Sequence, residues 1–229
     1  MSKYLDWIFS SSRSKNAKIV EEVGTGFFQS AKDWTECVGV ITVLFDYCKR
    51  KNLNIHKMRG TAYVIGDGAD PQTGYLLARR VAPCFKVHSV DPRLREEYFA
   101  SSKTVSQKKV NKLLPNMILE RKKVEQVVPT VGSEIYFIIG VHNHGPIQTL
   151  YETLSKQART IVISLPCCTK DANLSMRPTE FGVDIQIISA MNVWYLWDSE
   201  QVGSTMQAGL LGEHSDKPAK RVRLNEVGV

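Results

Sequence analysis

The apolar positions of this chain change their period near residue 60. Before it, the segment Asp33–Lys51 carries Trp34, Val38, Ile41, Phe45 and Cys48 at i, i+4, i+7, i+11 and i+14, one face of a 3.6-residue helix. Asp33 stands where a cap belongs, and Glu36 three residues on completes a capping-box pattern. Lys49-Arg50-Lys51 complements the dipole at the other end. Upstream, Ser10–Ser14 reads as a loop, and Gly24-Thr25-Gly26 interrupts a weaker helix over 15–30.

After residue 60, short β-rich runs alternate with helix-sized gaps. Ala62–Ile65, Phe85–Val90, Met117–Leu119, Ile135–Val141, Thr160–Leu165 and Val183–Ile188 read as strands, with Val193–Trp197 a candidate seventh. Several are continuously apolar, as strands buried on both faces of a parallel sheet are. Thr73–Val81, Arg93–Ala100 and Ile147–Ala158 fit crossover helices. The expectation is an α/β fold, a doubly wound, mostly parallel sheet with an N-terminal helical lead-in. Its parts are a helical extension over 1–60, the sheet domain over 61–202 and a flexible basic tail over 203–229.

Composition narrows the setting. The chain has 229 residues, 43% hydrophobic and 23% charged, a globular balance that excludes wholesale disorder. Apolar runs such as Ile135–Val141 fall far short of the ~20 residues of a membrane span. No signal peptide is read at the N-terminus, so an intracellular chain, nuclear or cytoplasmic, is expected. Five cysteines, an odd number, suit free thiols or ligands better than a disulfide framework. Thirty Lys plus Arg against 23 Asp plus Glu leaves +7, which points to an anionic partner such as RNA. Lys108, Lys109 and Lys112 with Arg121-Lys122-Lys123 form the basic cluster best suited to phosphates. Trp194, Tyr195 and Trp197 suit either base stacking or, more in keeping with a strand, the core.

The first strand runs into Gly66-Asp67-Gly68-Ala69-Asp70-Pro71 with a helix following, the place where a doubly wound sheet binds ligands. Asp91 ends the second strand 24 residues after Asp67, where a ribose-binding carboxylate belongs. Pro71 occupies the third-glycine position of a dinucleotide fingerprint, which disfavours a nicotinamide cofactor. This arrangement resembles class I S-adenosylmethionine-dependent methyltransferases over residues 61–198, at the level of motifs. The resemblance implies a Rossmann-like methyltransferase fold that binds S-adenosylmethionine, with Gly66, Asp67 and Gly68 around the methionine and adenosine parts and Asp91 on the ribose. Divergent members carry a His turn after the fourth strand and a Cys pair after the fifth. Here these match Val141-His142-Asn143-His144-Gly145 and Pro166-Cys167-Cys168. The Asn/Asp-Pro-Pro-Tyr/Phe motif of base amino-group methyltransferases is missing.

His142, His144, Cys167 and Cys168 leave three readings open. Imidazole and thiolate suit zinc, but adjacent cysteines seldom point at one ion, so no metal is expected. His142 or His144 suits a catalytic base, since imidazole titrates near neutral pH. Turn histidines bonded to backbone beside inert thiols is the third. The expected function is a methyltransferase-like protein acting on RNA, or a catalytically inactive relative that binds RNA or protein. In the tail, Lys217-Pro218-Ala219-Lys220-Arg221-Val222-Arg223-Leu224 resembles a monopartite nuclear localisation signal, with Lys220, Arg221 and Arg223 engaging a nuclear import receptor.

Overall fold

A computed structural model describes residues 2–4, 28, 30–98, 114–143, 145–166, 174–190 and 192–200. The elements in chain order are α1 (Ala31–Arg50), β1 (Gly60–Ile65), α2 (Gln72–Arg80), β2 (Lys86–Val90), β3 (Met117–Glu120), β4 (Ile135–Val141), α3 (Gln148–Ser155), β5 (Arg159–Leu165), β6 (Glu180–Val183) and β7 (Val193–Asp198). They form one sheet in the order β3-β2-β1-β4-β5-β7-β6. β1, β2, β3, β4 and β5 are mutually parallel, while β7 runs against β5 and β6.

Helices cover both faces, which is why the central strands show no polar alternation. Every residue of β1 and β4 is buried. On one face Ala62, Val64, Phe137, Ile139, Ile161 and Ile163 meet α1 and α2. On the other, Tyr63, Ile65, Tyr136, Ile138 and Val162 meet α3 through Leu150, Tyr151 and Leu154. Each Val, Leu, Ile or Phe among them contributes about 1.5–3 kcal/mol by leaving water.

Helix α1 belongs to this core, with Trp34, Val38, Ile41, Leu44, Tyr47 and Cys48 buried. Its cap is not Asp33. Ser30 takes the extended N-cap conformation and its Oγ accepts the Asp33 amide at 3.1 Å. Asp33 therefore lies in the first turn, where a carboxylate still complements the dipole. That shift frees Glu36 from any capping role.

Two other expected elements differ. Arg93–Ala100 gives only a 3-10 turn at Glu96–Tyr98 within its described part. The strand expected over Val183–Ile188 ends at Val183, because the Asp184 side chain accepts the Gln186 amide at 2.9 Å and its carbonyl accepts the Ile187 amide at 3.1 Å. Aspartate at such a site turns the chain. Ile187 then folds inward instead of continuing an edge strand, and a Cβ on Gly39 of α1 would lie 2.7 Å from it. Phe181, Val183 and Ile185 stay exposed.

Beneath the far end of the sheet, fully buried Asp198 accepts from Tyr47 Oη at 2.7 Å and from Arg159 at 3.1 and 2.6 Å. The Asp198–Arg159 pair joins β7 to β5, Tyr47 adds α1, and Arg159 reaches on to exposed Glu200 at 2.7 Å. Among the described residues no helix is long and apolar enough to cross a membrane.

Candidate functional site

Strand register builds the site. Ile65 of β1 lies opposite Val90 of β2 on one side and Gly140 of β4 on the other. Three strands thus end nearly flush, and the residues that follow them share one rim. These are Gly66, Asp91 and His142. The chain leaves β1 towards β2 on one side, while β4 lies on the other, so the rim is the switch point of the sheet.

The turn after β1 needs glycine twice. Gly66 has φ +72° and its amide donates to the Val90 carbonyl at 2.9 Å. A Cβ there would lie 3.1 Å from the Asn143 Cα. Gly68 has φ +84°, and its amide donates to Asp91 Oδ2 at 2.9 Å. Among the described residues a Cβ on Gly68 would meet only the Asp70 carbonyl, 3.8 Å away.

Asp67 points into the protein. Its Oδ1 accepts the Thr73 amide at 2.8 Å, and its Oδ2 accepts the Gly74 amide at 2.9 Å and Ser89 Oγ at 2.7 Å. It thereby caps α2 from the end of β1, a task the N-cap residue Pro71 does not perform. Burial pushes the Asp67 carboxyl up to about 7 against the pull of these donors. Gly74 supplies the close approach of helix to strand that the dinucleotide fingerprint assigns to its third glycine. A Cβ there would sit 2.8 Å from Asp67 Oδ2.

Asp91 is buried, and besides Gly68 its carboxylate accepts the Arg93 amide at 2.7 Å. The Arg93 side chain lies across it at 3.4 Å and is itself mostly exposed. The turn is pinned from outside by Asp70, which accepts from Tyr98 Oη at 2.8 Å and pairs with Arg95 at 2.9 Å.

His142 closes the rim on the β4 side. It is a non-glycine residue at φ +56°, held by its amide donating to the Leu165 carbonyl at 3.1 Å. Such backbone costs about 1–2 kcal/mol, and His adopts it more readily than most non-glycine residues. Its Nε2 lies 2.7 Å from Oε2 of Glu36, a carboxylate 1% exposed on α1. Burial alone would raise the Glu36 carboxyl, but hydrogen bonds from His142 and Ser189, with Lys32 nearby, outweigh it and hold it below the ordinary carboxylate range. Asn143 beside it folds back on Gly145, its Oδ1 accepting that amide at 2.8 Å.

Of the residues singled out from sequence, Gly66, Asp67, Gly68, Asp91 and His142 are gathered at this rim. His144, Cys167, Cys168, Lys220, Arg221 and Arg223 lie outside the described residues, as do Lys108, Lys109 and Lys112. Cys37 and Cys48 are buried and Cys84 is exposed. Trp197 is buried, and Trp194 and Tyr195 pack against the two cores as core residues do. Among the described residues no three His, Cys, Asp or Glu side chains converge as a metal set. Glu36 is the residue that sequence reasoning missed, because its partner is 106 positions away.

No protein-family model matches the chain, and no curated protein matches it in sequence. In structure the chain is similar to the N-methyltransferase NodS from Bradyrhizobium japonicum WM9, at 9% identity and TM-score 0.41, over 70% of this chain and 95% of that one. It is similar to the 16S rRNA methyltransferase KamB at 13% identity and TM-score 0.40, over 63% and 89%. It is also similar to coclaurine N-methyltransferase bound to N-methylheliamine and SAH, at 14% identity and TM-score 0.34, over 54% of this chain and only 35% of that one. What defines the fold is the strand order itself, with β7 inserted against β5 and β6. This is the Rossmann-like, class I methyltransferase-like fold that the sequence resemblance implies.

Proposed function

We propose that the rim binds S-adenosylmethionine and that the chain transfers a methyl group to RNA. The observation that carries this reading is the pairing of the glycine turn with Asp91 at the switch point, through the Gly68 amide 2.9 Å from Asp91 Oδ2. The residues fit the donor. A Cβ on Gly68 would meet only the Asp70 carbonyl among the described residues, so the turn's outer side is uncrowded there. A carboxylate accepts about four hydrogen bonds, so Asp91 keeps lone pairs for ribose hydroxyls once the exposed Arg93 side chain moves aside. Asp67 acts indirectly, by holding the turn against α2.

When bound, the donor supplies an activated methyl on a sulfonium centre. The chain's part is alignment and removal of the acceptor's proton. His142 is the base in this reading, one residue beyond β4 on the same rim. RNA as acceptor is supported by the +7 net charge and by Arg93, Arg121, Lys122 and Lys123 near the ends of β2 and β3. Calorimetric titration with S-adenosylhomocysteine and with nicotinamide dinucleotides tests the reading. Binding of the first and not the second is expected, and no binding of S-adenosylhomocysteine at millimolar concentration would overturn it.

A further inference from the structure

We infer that Glu36 is the positioning residue of the site, fixing the tautomer and orientation of His142 so that Nδ1 is the atom that takes the acceptor's proton. The inference rests on the methyl-transfer reading for its chemistry, but its geometry stands apart from it.

Glu36 has no structural need to be charged where it sits. It is a carboxylate 1% exposed on the buried face of α1, where the His142 imidazole and the Ser189 hydroxyl hydrogen-bond to it. Lys32 ion-pairs with Oε1 at 3.6 Å, too far for a hydrogen bond, and Oε1 has no hydrogen-bond partner among the described residues. Burying a charge on such terms costs several kcal/mol, and an apolar residue of the same size would serve packing better. The β6–β7 connection seals the arrangement, with the Ile188 amide donating to Thr35 Oγ1 at 3.0 Å beside Glu36.

His142 shows the complementary signature. Its backbone is held in a left-handed conformation that no glycine relieves. Its Nε2 is committed to Glu36, and its Nδ1 is buried without a hydrogen-bond partner among the described residues. A carboxylate accepts and does not donate, so the proton of the neutral ring sits on Nε2 and the lone pair on Nδ1. A base arranged in this way has one unpaired nitrogen and one orientation, and that nitrogen has to be uncovered for an acceptor to reach it. In the reaction the acceptor's X–H bond breaks and Nδ1 takes the proton. The new X–CH3 bond forms as the C–S bond breaks, and that bond's electrons stay on sulfur in the departing thioether. The resulting imidazolium is paired with Glu36.

The test uses full-length protein with 15N-labelled histidine. Two-bond proton–nitrogen correlation spectra read the tautomer of each ring directly. Neutral His142 is expected to be protonated on Nε2 in the wild type, and Glu36→Gln is expected to abolish that bias. A wild-type His142 protonated on Nδ1 overturns the inference, whether or not the variant folds. Transfer from tritiated S-adenosylmethionine to transcribed, unmodified RNA should fall about 10²-fold or more in kcat for Glu36→Gln. Its affinity for S-adenosylhomocysteine should stay within about twofold, a split that a purely structural role would not give. An equal loss in both overturns the positioning role. Absence of S-adenosylhomocysteine binding in the wild type defeats the methyl-transfer reading instead, and leaves the tautomer measurement to decide the pair.

Discussion

The amide of Gly68 donates to the carboxylate of Asp91 at 2.9 Å, so the turn after β1 and the end of β2 form one unit. Neither residue sets its own position. Gly66 anchors the turn to the Val90 carbonyl from one side, and Asp67 anchors it to α2 from the other. A ligand seated on this turn meets a surface already organised, which lowers the ordering cost of binding.

Replacing Asp91 should therefore be felt in binding. Asp91→Ala is expected to weaken S-adenosylhomocysteine by ~1.5–3 kcal/mol, the range for hydrogen bonds to a charged group. Isothermal titration of both proteins gives the difference. Equal affinities would remove Asp91 from the site.

Asp67 makes the fold sensitive to pH in a definite direction. Its carboxyl is pushed by burial up to about 7 in the folded chain, against ~3.9 in an unfolded one. Between those values the folded state holds a proton that the unfolded state has lost. This group's contribution is full below about pH 4 and is lost as pH rises through about 7. Asp67→Asn does not titrate. The melting temperature of the wild type relative to this variant should fall from pH 4 to pH 7 and then level off. A difference constant across the range would show that the carboxyl is charged throughout.

Gly74 has no room for a side chain. Its Cβ would come 2.8 Å from Asp67 Oδ2 and 3.1 Å from Ser89 Cβ. Gly74→Ala should cost ~1–3 kcal/mol in urea denaturation, by forcing α2 off the end of β1. A neutral result would mean that helix and strand separate freely there.

For the tail, we propose that Lys220, Arg221 and Arg223 are read by an import receptor. Residues 212–229 fused to an inert reporter should carry it into the nucleus of a eukaryotic cell. The triple alanine variant should leave the reporter in the cytoplasm and leave the melting temperature of the full chain unchanged. A wild-type fusion that stays cytoplasmic would end this reading.

Much of the fold is legible in local pattern. Ile135–Val141 announces a doubly covered strand because nothing polar interrupts it, and the structure bounds β4 at those same residues. The rim is legible too, since Gly66 and Asp91 each follow an apolar strand directly. What stays hidden depends on side-chain partners far along the chain. Ser30 outcompetes Asp33 for the cap through a single hydroxyl. Asp184 stops a strand whose apolar alternation continues through Val183, Ile185 and Ile187. Glu36 reads as part of a surface capping box until β4 brings His142 to it.

That last pairing has a consequence for how the chain matures. The glycine turn and Asp91 are separated by only 23 residues and can organise earlier. The Glu36–His142 contact spans 106 residues and cannot form until β4 has docked beside β1 under α1. Closing so long a loop is entropically costly and slow, and only the packed sheet repays it. On the ribosome, a chain stopped before Val141 would carry the turn without the imidazole. Completion of the rim thus coincides with consolidation of the central sheet, so a half-made chain lacks the group assigned to proton removal.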